Sequence, residues 1–320
     1  MIIWIGFLLM INLFLALDLG VFNKNPHEIT YKEATQWTVV WTSLGLLFSG
    51  VIYFLYSKGY MQPPMEGITP WTSATEYITG YIIELSLSVD NIFVIAMIFK
   101  SFRIPKMYQH RVLFWGILGA LLFRGLMIFF GVVLITKFSW TTYIFGVFLI
   151  FTAIKMAFSD DSEEFNPRDS KLYNLIRRWM PLTGEIYNDH FIIKKRGMLI
   201  GTPLLLSLIL IEFTDVLFAL DSIPAILGIT TDPFIVFTSN IFAILGLRSM
   251  YFFIANLLDS FHYLKYSLTV ILTYVGVKLI LAHHYKLSIG LSLGVIAVSL
   301  LVGILFSLWH KKKYGETTSK

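Results

Sequence analysis

Tyr81–Phe99 reads YIIELSLSVDNIFVIAMIF. The stretch is long enough and apolar enough to cross a bilayer as one helix, yet Glu84, Asp90 and Asn91 sit inside it. A second stretch, Leu204–Ile229 (LLLSLILIEFTDVLFALDSIPAILGI), repeats the anomaly with Glu212, Asp215, Asp221 and Ser222. A carboxylate at membrane depth costs about 2.5–3.5 kcal/mol even on lenient insertion scales. A chain that accepts this cost repeatedly, at matched spacing, has a use for the acids.

The surroundings agree with a membrane setting. Of 320 residues, 56 % are hydrophobic and only 14 % charged, and the mean hydropathy is +0.72. Apolar runs of roughly 20 residues, with no strand alternation between them, predict an all-α polytopic membrane helix bundle. Nine spans are expected, at about 1–22, 37–57, 73–99, 110–135, 138–158, 199–229, 234–257, 262–283 and 287–309. The apolar start at Met1 has no basic lead-in or small-residue cleavage site and reads as a retained first span. The absence of cysteine excludes disulfides and thiolate metal sites.

Charge gives the orientation. With the N-terminus outside, inward loops hold 18 of the 25 Lys and Arg residues, and outward loops only Lys58, Lys137 and Lys286. This asymmetry puts the N-terminus out and the C-terminus in the cytoplasm. The basic pI is therefore a topology signal, and no nucleic-acid partner is expected. The hydrophilic loop 159–198 begins acidic; its segment Lys171–Leu182 places Leu172, Leu175, Ile176 and Trp179 on one helical face, as a membrane-surface helix would.

Spans three to five echo spans six to eight. Glu84 and Asp90 are six residues apart, as are Asp215 and Asp221, and a small polar residue follows each pair (Asn91, Ser222). The next span of each set carries one arginine, Arg124 or Arg248; the third reads Tyr143 to Lys155 or Tyr266 to Lys278. Three spans separate the copies, so the second is inverted, a plan that places substrate sites at the midplane between repeats. The expected units are 1–72 (two spans), 73–158 (first repeat), 159–198 (cytoplasmic loop), 199–283 (second repeat) and 284–320 (last span and basic tail). Asn12 and Asp18 give a fainter echo, which makes Asp18 a weaker candidate.

Six residues turn a helix by about 600°, leaving the paired acids about 120° apart. Each pair must therefore face different neighbours or loosen the backbone between them; Pro224 would disturb the second. Glu212 and Asp215, three apart, share a face. Six span acids (Asp18, Glu84, Asp90, Glu212, Asp215, Asp221) face two deep arginines, an excess that needs protons, water or bound cations. Oxygen donors without cysteine suit a hard divalent cation such as Mn²⁺, Mg²⁺ or Ca²⁺. Arg124 and Arg248 are the candidate counter-charges or gates, and protons are expected to exchange with the metal. No nucleophile–histidine constellation, phosphate-binding glycine loop or HExxH helix suggests an enzyme.

The stretches GYIIELSLSVDNIFVIAMIF, QHRVLFWGILGALLFR, TPLLLSLILIEFTDVLFALDSIPAILGIT and DPFIVFTSNIFAILGLRSMYFF resemble the TerC family of integral membrane proteins, in its Alx-type long form. The resemblance implies a bacterial inner-membrane protein of the LysE-like transporter group, linked to tellurium resistance, Mn²⁺ export and pH response. It puts the metal path on Glu84, Asp90, Glu212, Asp215 and Asp221, with Mn²⁺ as transported substrate and no permanently bound cofactor. Expected partners are the lipid bilayer, a divalent cation and protons; no protein partner is legible. The competing reading is an accessory membrane protein that aids metal loading or insertion of partner proteins, with tellurium resistance indirect.

Overall fold

A computed structural model describes residues 2–20, 30–64, 67–138, 140–158, 173, 176, 178, 180–195, 197–255, 264–281 and 288–314. Among them are nine helices: α1 (Ile2–Gly20), α2 (Tyr31–Ser57), α3 (Pro70–Ser101), α4 (Lys106–Lys137), α5 (Thr141–Phe158), α6 (Pro203–Leu227), α7 (Pro233–Ala255), α8 (Leu264–Leu281) and α9 (Ile289–Tyr314). Each falls on one expected span, and seven are long and apolar enough to cross a membrane by length and composition. The architecture is an all-α membrane helix bundle.

Local chemistry starts these helices cleanly. Pro70, Pro203 and Pro233 occupy first-turn positions, where a missing N–H costs nothing. Thr69 caps α3 by accepting from the Thr72 N–H at 3.2 Å, and Thr30 caps α2 by accepting from Glu33 N–H at 3.3 Å. Pro224 does not break α6, which continues to Leu227.

Helices α3 and α7 form the centre, packed against each other, and α7 is almost wholly buried. Around them, α2 lies against α3 and α7, α4 against α6 and α7, α6 against α3, and α9 against α3 and α8. Helix α1 seats Phe7 against Phe48, Phe234 and Phe242. The outer faces of α4, α5 and α9 carry exposed Phe129, Phe130, Val147, Phe151, Leu301 and Leu305, as lipid contact requires.

Helices α5 and α8 cross antiparallel at paired glycines. A Cβ on Gly146 would lie 2.7 Å from the Gly276 carbonyl oxygen, and one on Gly276 would lie 2.8 Å from that of Gly146. Gly146 also faces Ile280 as Gly276 faces Ile150, so the crossing is close to two-fold. A hairpin ahead of α6 that was absent from the sequence expectations, β1 (Ile192–Lys195) with β2 (Met198–Gly201), pairs Ile192 with Gly201 and Lys195 with Met198. Thr202 ties it to α6 by donating to the His190 carbonyl at 2.7 Å. The surface helix expected at 171–182 falls mostly outside the described residues, as do Met1 and the tail after residue 314.

Candidate functional site: a buried arginine between two carboxylates

Arg124 of α4 points into the bundle and meets three other helices. Its Nε and Nη2 donate to the two oxygens of Asp215 on α6, at 3.2 and 2.8 Å. Its Nη1 forms an ion pair with Glu84 of α3 and donates to Asn240 Oδ1 of α7 at 3.4 Å. Asn91, two turns along α3 from Glu84, donates to Asp215 Oδ1 at 3.0 Å. Burial is near complete: Glu84 is 1 % exposed, Arg124 2 %, Asp215 3 % and Asn240 0 %. The side-on fork to Asp215 is the strong, directional form of an arginine–carboxylate pair.

Two acids from different helices share this one arginine, so with both ionised the cluster would hold one negative charge more than Arg124 cancels. Three oxygens of α3 and α6 residues in or beside the cluster are buried without a hydrogen-bond partner among the described residues, Glu84 Oε2, Asn91 Oδ1 and Glu212 Oε2, and so is Ser222 Oγ, two turns further along α6. Unpaired oxygens of this kind could serve a hard cation, although among the described residues no three of His, Cys, Asp and Glu come together as a ready metal-ligand set.

The remaining candidates are distributed around this cluster. Glu212 lies on the same face of α6 as Asp215 and rests its carboxylate against Gly119 of α4. Asp221 faces elsewhere: it accepts from Thr152 of α5 at 3.0 Å, with Lys155 close enough to act on it electrostatically. The six-residue pair on α6 thus faces two different neighbours along an unbroken helix. Arg248 of α7 does not join Arg124; it bonds His110 Nε2 of α4 at 2.8 Å. The side chains of Asp18 and Asp90 lie outside the described residues.

Several participants were absent from the sequence expectations. Asn240 is an amide inside an apolar span, within SNIF, which echoes DNIF at Asp90–Phe93; that echo was the available signal. Gly119 and Thr152 carried none. Glu76 falls inside the third span and is a seventh span acid, only 4 % exposed. Lys278, which ends the Tyr266 to Lys278 interval of the repeat, is buried at 8 % exposure with Nζ bonded to Ser292 Oγ at 2.9 Å.

Comparison with known proteins agrees with this architecture. The chain is 47 % identical over 316 residues to "Uncharacterized membrane protein STKORF319" of Myxococcus xanthus, covering 99 % of this chain and 94 % of that one. It is 43 % identical over 318 residues to "Putative membrane-bound redox modulator Alx" of Escherichia coli strain K12, covering 98 % and 97 %. It is 42 % identical over 308 residues to an "Uncharacterized membrane protein" of Rickettsia bellii, covering 96 % and 97 %. No solved structure matches. Residues 69–314 match the Integral membrane protein TerC family, from the cap of α3 to the end of α9, and the chain belongs to that family.

Proposed function

We propose that the chain exports a hard divalent cation, Mn²⁺ in the first instance, across the bacterial inner membrane in exchange for protons. The observation that carries this reading is Arg124 held in the bundle interior by Glu84 and Asp215, carboxylates of two different helices. The arginine is the resident counter-ion of the empty state. A cation entering between the acids competes with it, and protons compete with both, because acids that bind metal must shed protons. Asn91 and Asn240 hold the partners in register. Glu212, Asp221 and Ser222 extend the acceptor-lined face of α6, and Asp90 would extend that of α3.

Inverted units spanning 73–158 and 199–283 give this site its place. Supporting them, α3 packs on α7 as α4 packs on α6, and α5 meets α8 at the near two-fold glycine crossing. Glu84 and Asp215 occupy matching positions of the two units and grip the same arginine, so a rocking motion of one unit against the other would part them. The choice of manganese rests on family resemblance; the preference for a hard cation rests on the donors. Relatives bear the name of a redox modulator, but this chain has no cysteine. A redox effect would follow from the metal it moves.

The test is purified protein in vesicles, with Mn²⁺ and proton movement followed under an imposed pH gradient. Wild type should move Mn²⁺ against protons without a partner protein. Asp215→Asn should slow it about a hundredfold, in keeping with the ~3 kcal/mol cost of breaking a buried charged pair. Silence of wild type toward every divalent cation would overturn the reading in favour of an accessory role.

A further inference from the structure

A second polar cluster lies toward the opposite end of α3 from the loop 102–105. It draws on the C-terminal end of α2, the start of α3, the α6–α7 connection and the later turns of α8. Asp232 caps α7, its Oδ1 accepting from the N–H groups of Phe234 and Ile235 at 2.9 and 3.3 Å. Its Oδ2 accepts from the Tyr56 hydroxyl at 2.5 Å. Glu76 faces the same place: it lies one turn before Gly80, which packs against Ile226 of α6 and Ser239 of α7, and it feels the charges of Asp232 and Lys278. Lys278 is held back by Ser292, which Tyr274 also bonds at 3.0 Å.

The cluster leaves acceptors unused. Glu76 Oε2 has no partner among the described residues although Glu76 is 4 % exposed, and Ser73 Oγ, one turn earlier on the same helix face, is in the same condition. Both oxygens are buried where water would otherwise satisfy them. Two carboxyl groups face one ammonium, so full ionisation would leave a negative charge that a proton or a cation must cancel. Every donor to a bound cation here would be oxygen: carboxylates of Glu76 and Asp232, hydroxyls of Thr230 and Ser73. Glu76 precedes Glu84 by two turns, about 12 Å along α3. By the distribution of loop lysines and arginines this end faces outward.

We infer that Glu76 and Asp232 form a second site for a hard divalent cation, on the outward side of the Arg124 cluster, with the Lys278 ammonium as its tethered stand-in when no metal is bound. The inference rests on the transport reading for the identity of the cation. Metal leaving the Arg124 cluster displaces Lys278 from the field of Glu76, and Lys278 returns when the metal departs. Arg124 has the same relation to Glu84 and Asp215, so each station of the path carries its own counter-ion.

The experiment is Mn²⁺ binding alone, by equilibrium dialysis and electron paramagnetic resonance, on the full-length protein in nanodiscs. Wild type should bind two ions, and Glu76→Gln and Asp215→Asn one each. Lys278→Met should tighten the outward site about tenfold by removing a competing positive charge; this opposite sign separates ligand competition from loss of fold. Unchanged stoichiometry in Glu76→Gln, or no tightening in Lys278→Met, overturns the second site. Two ions bound by Asp215→Asn, with one lost in Glu76→Gln, would instead remove the Arg124 cluster as a metal site and leave the outward one standing.

Discussion

At the scale of single residues, the interior is set by how few groups must satisfy how many charges. Arg124 has five donor hydrogens in a fixed plane, which lets one side chain serve Asp215, Glu84 and Asn240 at once. Lysine could not span the same geometry. Gly119 contributes by what it lacks: a Cβ there would run into the Glu212 carboxylate. Gly119→Ala should therefore displace Glu212 and cut transport, whereas the same substitution in a Glu212→Ala background should add little. A double-mutant cycle on transport rate should give a coupling of about 1–3 kcal/mol, the range for residues in contact. Additive losses would mean that the niche and the carboxylate are unrelated.

At the scale of elements, two junctions decide how the helices sit. The α5–α8 crossing has no room for a side chain, since a methyl at Gly146 or Gly276 would meet backbone that cannot step aside. Gly146→Ala or Gly276→Ala should each destabilise by about 1–3 kcal/mol, read as a lower thermal midpoint of the purified protein, and the pair should not be additive. The α6–α7 connection depends on Asp232, whose carboxyl is raised above its ordinary value of 3.8, mainly by burial, against the lowering effect of its bonds to Tyr56 and the α7 backbone. Because the folded state favours the neutral form, the stability this acid contributes is full below the ordinary value and is lost as pH rises through the raised one. Asp232→Asn, always neutral, lacks that slope. Its thermal midpoint relative to wild type should climb as pH is taken upward from about 4, and a flat or falling difference would contradict the assignment.

At the scale of the whole molecule, orientation and burial work together. Lys58 is exposed beyond α2 and Lys194 lies exposed in the hairpin, and the loop charges predict opposite sides of the membrane for them. The cysteine-free chain allows a direct check. Lys58→Cys should react with a membrane-impermeant maleimide in intact cells, and Lys194→Cys only after the membrane is opened; the reverse pattern would invert the outward and inward assignments made above. Buried polar groups concentrate on α3, α6 and α7, while α4, α5 and α9 turn large apolar side chains outward. The bundle thus keeps Glu76, Glu84 and Asp215 away from lipid, where they could not stay ionised.

What the chain alone determined was the number and place of the helices, because a span length and an apolar run are local properties that one residue after another either has or lacks. Family membership followed from the long motifs around Glu84, Asp90, Asp215 and Asp221. The pairing of Glu212 with Asp215 on one face followed from helical period alone, whereas for Asp215 and Asp221 period left either different neighbours or a loosened backbone, and the unbroken α6 shows the first. Which partner each charge takes was decided only by tertiary structure. Arg124 and Arg248 hold matching places in the sequence, yet one takes Glu84 and Asp215 and the other bonds His110. Glu76 drew no notice in the sequence and Lys278 lay near a span end, yet in the folded bundle both are buried. Helical period fixes the angle of a side chain around its own axis, but a charge in low dielectric is governed by the nearest opposite charge, and that neighbour comes from another helix.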